Sequence, residues 1–440
     1  MKSFLLGSAA LFIAAGAANA ADMPVKAMPM KAPPPIAYDW TGFYVGGYYG
    51  QAIGYTRGRT PVLTPGDAVI NDNGITVGGT VGYNWQFDPH WLIGAEGDFG
   101  WMGLDQSAPE WNDTVTVGQK ADWYGTARLR FGYVAGPSLF YVTGGGAFVH
   151  LNDTFGSTTN SETKSGWTAG AGIETKLSRS WSMKTEYLYV DVGDSNFNST
   201  IFQVTTPVTF DHHQFHVIKT GLNYKIGEPF LDGLPLIGTS HLMPTDHNWN
   251  GFYVGLNAGG GISNVQAVGG AGTFLNGSEE HVNATGFAGG AQAGYNYIVF
   301  SKYFVGVEAD VGYLGVSGSS KDWNDSFFFS DKTDWYGTAR LRVGTTTGPA
   351  LLYATGGAAW VHLTDTLQII NNVGSTGSRT AGGWTIGGGT EVALGPRWSA
   401  RLESLYIDVG KDTQAIATPH AEFKDRFMVV RAGLNFAFGN

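Results

Sequence analysis

Residues 122–133 read Asp122-Trp-Tyr-Gly-Thr-Ala-Arg-Leu-Arg-Phe-Gly-Tyr133. Trp123, Ala127, Leu129, Phe131 and Tyr133 fall on one side of a two-residue alternation. Asp122, Thr126, Arg128 and Arg130 fall on the other. A period of two is the signature of a β-strand whose faces meet different surroundings. The first nine residues return unchanged as Asp334 to Arg342, 212 positions later.

The recurrence extends outward in both directions. Gly82-Tyr-Asn84 returns as Gly294-Tyr-Asn296, and Trp40-Thr-Gly-Phe-Tyr-Val-Gly46 as Trp249-Asn-Gly-Phe-Tyr-Val-Gly255. Trp167 and Trp181 match Trp384 and Trp398, and Gly221-Leu-Asn-Tyr224 matches Gly433-Leu-Asn-Phe436. A match this long is a duplication of whole domains. The chain divides into 39–226 and 249–440, with a linker at 227–248.

Each copy breaks into eight alternating segments. In the first they lie near 42–55, 74–86, 90–102, 121–134, 137–151, 164–178, 180–193 and 212–226. Tight turns are predicted at Asp88-Pro89, Gly136-Pro137 and Ser178-Arg179. Long polar connections are predicted near 56–73, 103–120, 152–163 and 194–211. Short turns on one side and long ones on the other describe a transmembrane β-barrel, with the short side periplasmic.

Composition agrees. Charged residues make up only 14% of the chain against about a quarter in ordinary soluble domains, while aromatics reach 14%. No long apolar run follows the first 20 residues, so a closed barrel is the remaining way to cross a bilayer. A net charge of -10 argues against a nucleic-acid partner. Zero cysteines exclude disulfides and Cys-bound zinc, and suit passage through an oxidising periplasm.

Energetics then decides which face meets lipid. An arginine at mid-bilayer costs roughly 2–4 kcal/mol, and Arg128 and Arg130 share one strand face. The charged faces must therefore look inward. In the first copy that places Glu96, Asp98, Glu174 and Glu186 in the lumen with Arg128, Arg130, Lys176, Lys184 and Lys219. In the second it places Glu308, Asp310, Glu391 and Glu403 with Arg340, Arg342, Arg401 and Arg431. A lumen of about eight strands has room only for its own side chains, so these charges are expected to pair into a plug.

The N-terminus reads as a signal peptide over 1–20, with Lys2, an apolar stretch and Ala18-Asn-Ala20 as the cleavage pattern. Residues 21–38 carry five prolines and read as a periplasmic tether. Sixteen strands could close as two eight-stranded barrels or as one sixteen-stranded barrel. The long Pro-bearing linker and the separate charge balance of each copy favour two.

The opening Trp-Thr-Gly-Phe-Tyr-Val-Gly, the Asp122–Arg130 motif, Tyr141-Val-Thr-Gly-Gly-Gly146 and the closing Gly-Leu-Asn-Tyr resemble the small outer-membrane β-barrel proteins of alphaproteobacteria. That porin-family group is loosely similar to OmpA and includes the surface antigens of brucellae and rhizobia. The resemblance covers nearly the whole mature chain, once per copy. It implies an outer-membrane location, a role in membrane integrity or surface interaction, and no catalytic residues. The usual family form is a single barrel, and the usual terminal aromatic is here Phe438, followed by Gly439-Asn440.

No cofactor, metal or catalytic residue is expected. His212 and His213 are adjacent, so on a strand they face opposite ways. Asn71-Asp-Asn73 and Asn112-Asp113 lack the spaced carboxylates of a calcium loop. Gly144–Gly146 and Gly387–Gly389 sit inside strand patterns, which suits close backbone packing better than phosphate binding. No serine, histidine and acid fall together on one face near a strand end. Trp111 and Trp323 recur in predicted external loops, as contact sites or as side chains packed on the rim. The expected partners are outer-membrane lipid and lipopolysaccharide, the barrel-assembly machinery through the last strand, and an extracellular ligand at the loops. The alternatives are a diffusion porin and a lipid A-modifying enzyme.

Overall fold

The computed structural model describes residues 38–60, 67–110, 115–201, 203–230, 247–269, 279–300, 303–321, 327–346, 350–369, 373–414 and 421–438. The proposed signal peptide, most of the tether, most of the linker, Trp111 and Trp323 lie outside them. The side chains of Asn71, Asp72 and Asn73 and the segment holding Asn112-Asp113 do too.

Among the described residues there are seventeen strands and no helix. The first copy contains β1 (Gly42–Arg59), β2 (Asp67–Asp88), β3 (Trp91–Glu110), β4 (Val115–Ala135), β5 (Ser138–Phe155), β6 (Thr158–Lys176), β7 (Trp181–Asp191), β8 (Ser195–Ile201) and β9 (Val204–Lys225). The second contains β10 (Gly251–Gly269), β11 (Glu279–Val299), β12 (Tyr303–Lys321), β13 (Phe327–Thr346), β14 (Ala350–Ile369), β15 (Val373–Ala393), β16 (Trp398–Gln414) and β17 (Ala421–Ala437).

Strand pairing decides between one barrel and two. β1 pairs with β9, Tyr44 opposite Lys225, and β10 pairs with β17, Tyr253 opposite Ala437. Each copy closes on itself, so there are two antiparallel barrels. β7 and β8 together occupy the position that β16 fills alone. Both are interrupted by a glycine at positive φ, Gly193 (74°) and its copy Gly410 (78°). β7 ends there, and β16 shifts register between Asp408 and Lys411. Such a conformation falls to glycine because a Cβ would be strained in it.

The strands are longer than the sequence pattern predicts. β5 and β6 run to a turn at Gly156-Ser157 where a long loop is expected, and β8–β9 is a hairpin across much of 194–211. The described parts of the polar stretches expected as loops are mostly strand extensions. An outer aromatic belt (Trp101, Trp167, Trp335, Trp360 and Trp384) and an inner one (Phe43, Trp85, Trp91, Phe252 and Trp398) are all exposed on the outer wall. Trp91 to Trp101 spans about 25 Å of membrane normal at the usual strand rise and tilt.

The code inverts at the outer belt. Below it the wall is apolar outside and polar inside. Above it, on β5, Val149 and Leu151 are buried inside while His150 and Asn152 face out. The outer surroundings change from lipid to water, so the rule changes with them. Register shifts mark the crossing, at Trp101/Leu104 and Ala121/Tyr124 in the first barrel and at Tyr313/Ser317 and Thr333/Trp335 in the second. The bulge at Ala121/Tyr124 corrects the expected parity at one position. Ala121 and Tyr124 are buried inside, so Asp122 turns outward, where it accepts a hydrogen bond from Asn152 at 2.7 Å.

Candidate functional site

The mid-lumen of each barrel is built from inward positions on β3, β4, β6, β7 and β9, or on β12, β13, β15, β16 and β17. In the first barrel Arg128 is central: it meets Glu96 at 2.6 Å, Glu186 at 2.9 Å, and Asp98. Arg130 meets Glu174 at 2.7 Å and Glu96 at 3.2 Å. Lys184 reaches Glu96 at 2.7 Å, and Lys219 reaches Glu186 at 3.2 Å and also Asp98. The second barrel repeats the plan with arginines. Arg340 meets Asp310 at 2.8 Å, Glu403 at 3.0 Å, and Glu308. Arg342 meets Glu391 at 2.9 Å and Glu308 at 3.4 Å. Arg401 reaches Glu308 at 2.6 Å, and Arg431 reaches Glu403 at 2.6 Å and Asp310 at 2.9 Å. All of these side chains are buried.

Lys176 sits lower, with its ammonium 4.7 Å from the centre of the Trp40 ring. Trp40 is buried at the periplasmic end of the first barrel. Its copy Trp249 is buried against Phe304, Leu351 and Tyr353.

Sequence reasoning missed the tyrosines of this network. Tyr44 donates to Glu96 at 2.7 Å, Tyr141 donates to Glu186 at 3.0 Å, and the Arg130 guanidinium lies 3.9 Å from the Tyr141 ring centre. Arg342 lies likewise 3.9 Å from Tyr353. The signal was present: Tyr44 and Tyr48 share a parity opposite to that of Phe43, Val45 and Tyr49.

Above the charges lies an apolar layer that the sequence pattern does not foretell. In the first barrel it includes Met102, Leu104, Tyr124, Leu151, Val190 and Phe215, and in the second Leu314, Tyr336, Leu363, Ile407, Phe427 and Val429. The lumen above the outer belt is packed like the core of a water-soluble domain.

A third level of polar residues follows. In the first barrel His213 Nε2 lies 3.2 Å from Ser195 Oγ and 3.3 Å from Asp153 Oδ2. Gln119 occupies its Nδ1, and Ser195 donates to Asp153. The structure therefore assembles a serine, a histidine and an acid that the linear sequence does not place on one face, because the Gly193 break carries Ser195 back over β9. The arrangement does not match a nucleophilic triad. There the acid orients the ring through the nitrogen remote from the serine. Here serine and acid share one nitrogen, and all three residues are fully buried. In the second barrel the level holds Asp331, Asp365, Asp425 and Arg379, with Arg379 2.6 Å from Asp425 and 3.6 Å from Asp365.

His212, at positive φ, is exposed, while His213 points inward. At Gly145 a Cβ would lie 2.1 Å from the Ala127 carbonyl oxygen, so close approach of strands accounts for this glycine, while a Cβ at Gly144 or Gly146 would meet only ordinary contacts.

The family described as outer membrane protein beta-barrel domain matches residues 8–210 and again 233–438. The chain belongs to that family. This outer-membrane barrel protein is 34% identical over 253 residues to the 31 kDa outer-membrane immunogenic protein of Brucella melitensis, covering 51% of this chain and 100% of the relative. It is 33% identical over 229 residues to the 25 kDa outer-membrane immunogenic protein of the same organism, covering 51% and 98%. It is 31% identical over 170 residues to the 22 kDa outer membrane protein of Rhizobium leguminosarum, covering 38% and 72%. The crystal structure of the outer membrane protein OprG from Pseudomonas aeruginosa aligns with 42% of this chain and 97% of its own, at 12% identity and a TM-score of 0.31. The tandem outer-membrane barrel protein thus has relatives about half its length.

Proposed function

We propose that this outer-membrane protein is a non-enzymatic structural and surface protein, with each lumen closed by its own side chains. Its barrels would stiffen the outer membrane, and its projecting hairpins would meet whatever lies outside. The observation that supports this reading is the paired filling of each lumen at mid-height: four acids against four arginines or lysines, all buried. Charges lining a water-filled pore would be hydrated and would not need such partners. The proposed partners are lipid and lipopolysaccharide on the aromatic outer wall, the assembly machinery at β17, and an external ligand at the hairpins.

Planar-bilayer recording tests closure of the lumen against the porin alternative. The purified protein should give no large, stable conductance steps, and regular steps would overturn closure. The lipid A-modifying alternative predicts altered lipid A mass spectra in cells carrying the protein, where we expect no change.

A further inference from the structure

Outward-facing side chains of these barrels are not all exposed. Leu129 and its copy Leu341 are 71% and 66% exposed on the outer wall, as a lipid-facing residue should be. Thr185 (6%), Ile218 (7%), Thr390 (4%) and Met428 (6%) also alternate with inward charges or core residues, so they too point outward, yet they are covered. What covers them is the other barrel. Thr185 and Thr390 lie hydroxyl to hydroxyl at 3.3 Å. Ile53, Ile218 and Met428 form a buried cluster with Tyr187, Ile262 and Val430 against it.

The duplication shows what kind of contact this is. By the repeat offsets Ile262 is the copy of Ile53 and Val430 the copy of Ile218. Equivalent positions of the two barrels therefore meet in one cluster. Ile53 and Ile262 each lie eleven residues into their strands (53 − 42 and 262 − 251), and Thr185 stands across its ladder from Ile173, the copy of the Thr390 it meets, so the barrels match in height at two levels and point the same way. In a two-fold interface one patch packs on itself: where residue i of one unit meets j of the other, j of the first meets i of the second.

We infer that the tandem is a fused dimer: one outer wall, carried by β6, β7, β9, β1 and β2 and by their copies β15, β16, β17, β10 and β11, docks on itself about a pseudo-two-fold axis along the membrane normal, with β11 lying against β2 and β3. The partner of each wall is the second barrel of the same chain. The symmetry carries a consequence that can be checked. Thr185 is the copy-mate of Leu402, and Ile173 that of Thr390. Since Thr185 meets Thr390, Ile173 must lie against Leu402. Ile173 faces outward and is buried.

Absence of native cysteine makes the test clean. Full-length chains carrying Thr185→Cys with Thr390→Cys, Ile173→Cys with Leu402→Cys, or the lipid-facing control Leu129→Cys with Leu341→Cys are oxidised in outer membranes. They are then cut at a protease site placed in the 227–248 linker. Both seam pairs should stay at full size on a non-reducing gel, and the control should fall to half size, with uncut chains at monomer size throughout. Joining of the first pair without the second overturns the two-fold arrangement. Joining of neither, or of the control equally, overturns docking. The cysteine-free chain, cut in the same linker and tagged on one half, gives a second measurement independent of substitution. The halves should co-purify in mild detergent, and their separation would overturn the pairing.

Discussion

At the scale of single residues, the lumen charges are held by multiplicity. Arg128 serves three carboxylates at once, so Arg128→Leu leaves Glu96, Asp98 and Glu186 with one cation fewer. Breaking a buried ion network by removing one partner costs about 3–5 kcal/mol. The first barrel should then lose its resistance to urea and to heat in gel-mobility assays. Asp331 makes the opposite case. It stands directly across β13–β14 from Asp365, and both are buried. Burial, with the carboxylates of Asp425 and Asp365, pushes the Asp331 carboxyl well above its usual range, so folding at neutral pH must take up a proton there; Asp331→Asn should therefore raise the urea midpoint at neutral pH, with the gain lost at a pH below the ordinary carboxylate range. The first barrel already carries Gln119 opposite Asp153 at this position. The acids and bases of the network were legible in the sequence because charge on alternate residues of a membrane strand can only face the lumen. Parity also put Tyr44 on the inward face, but a tyrosine suits the lipid interface as well as a lumen, so only the fold shows that Tyr44 and Tyr141 join the charges.

At the scale of the strand, one chain segment obeys two solvent rules in succession. Leu129→Arg places a cation against lipid, at about 2–4 kcal/mol, and should block insertion, read as loss of the heat-modifiable folded band. Thr163→Arg, also outward and exposed but above the outer belt, should insert as the wild type does. If both behave alike, the inversion at the outer belt is wrong. The bulges at the crossing let a strand change which parity faces inward. They also show why the upper strands resemble loops in the sequence: water-facing threonines and asparagines alternating with core residues are the composition of a turn as much as of a soluble sheet. Gly193 marks one such break, with open space around its Cβ position, so Gly193→Ala should cost only the backbone term, on the order of 1–2 kcal/mol.

At the scale of the molecule, the mid-lumen ion pairs of each barrel close within their own repeat. Arg340→Leu should therefore destabilise the second barrel, as Arg128→Leu does the first, while the first keeps its protease resistance. Limited proteolysis of outer membranes would show this as survival of a fragment carrying repeat one alone. Loss of both fragments together would mean that the barrels depend on each other for stability, and not only for position.

The order of residues alone establishes that the chain is duplicated, that its strands alternate, and that charge must face inward wherever lipid lies outside. These follow from local periodicity and from the cost of placing an arginine in hydrocarbon. That each copy closes on itself follows from the folded chain, since β1 can pair equally well with any antiparallel neighbour until the ring is complete. The fold also settles which tyrosines join the charges, where the strands pass from lipid to water, and which stretch of outer wall meets a barrel instead of a membrane. Those outcomes depend on register and on distant neighbours, and neither is written in the order of residues along one strand.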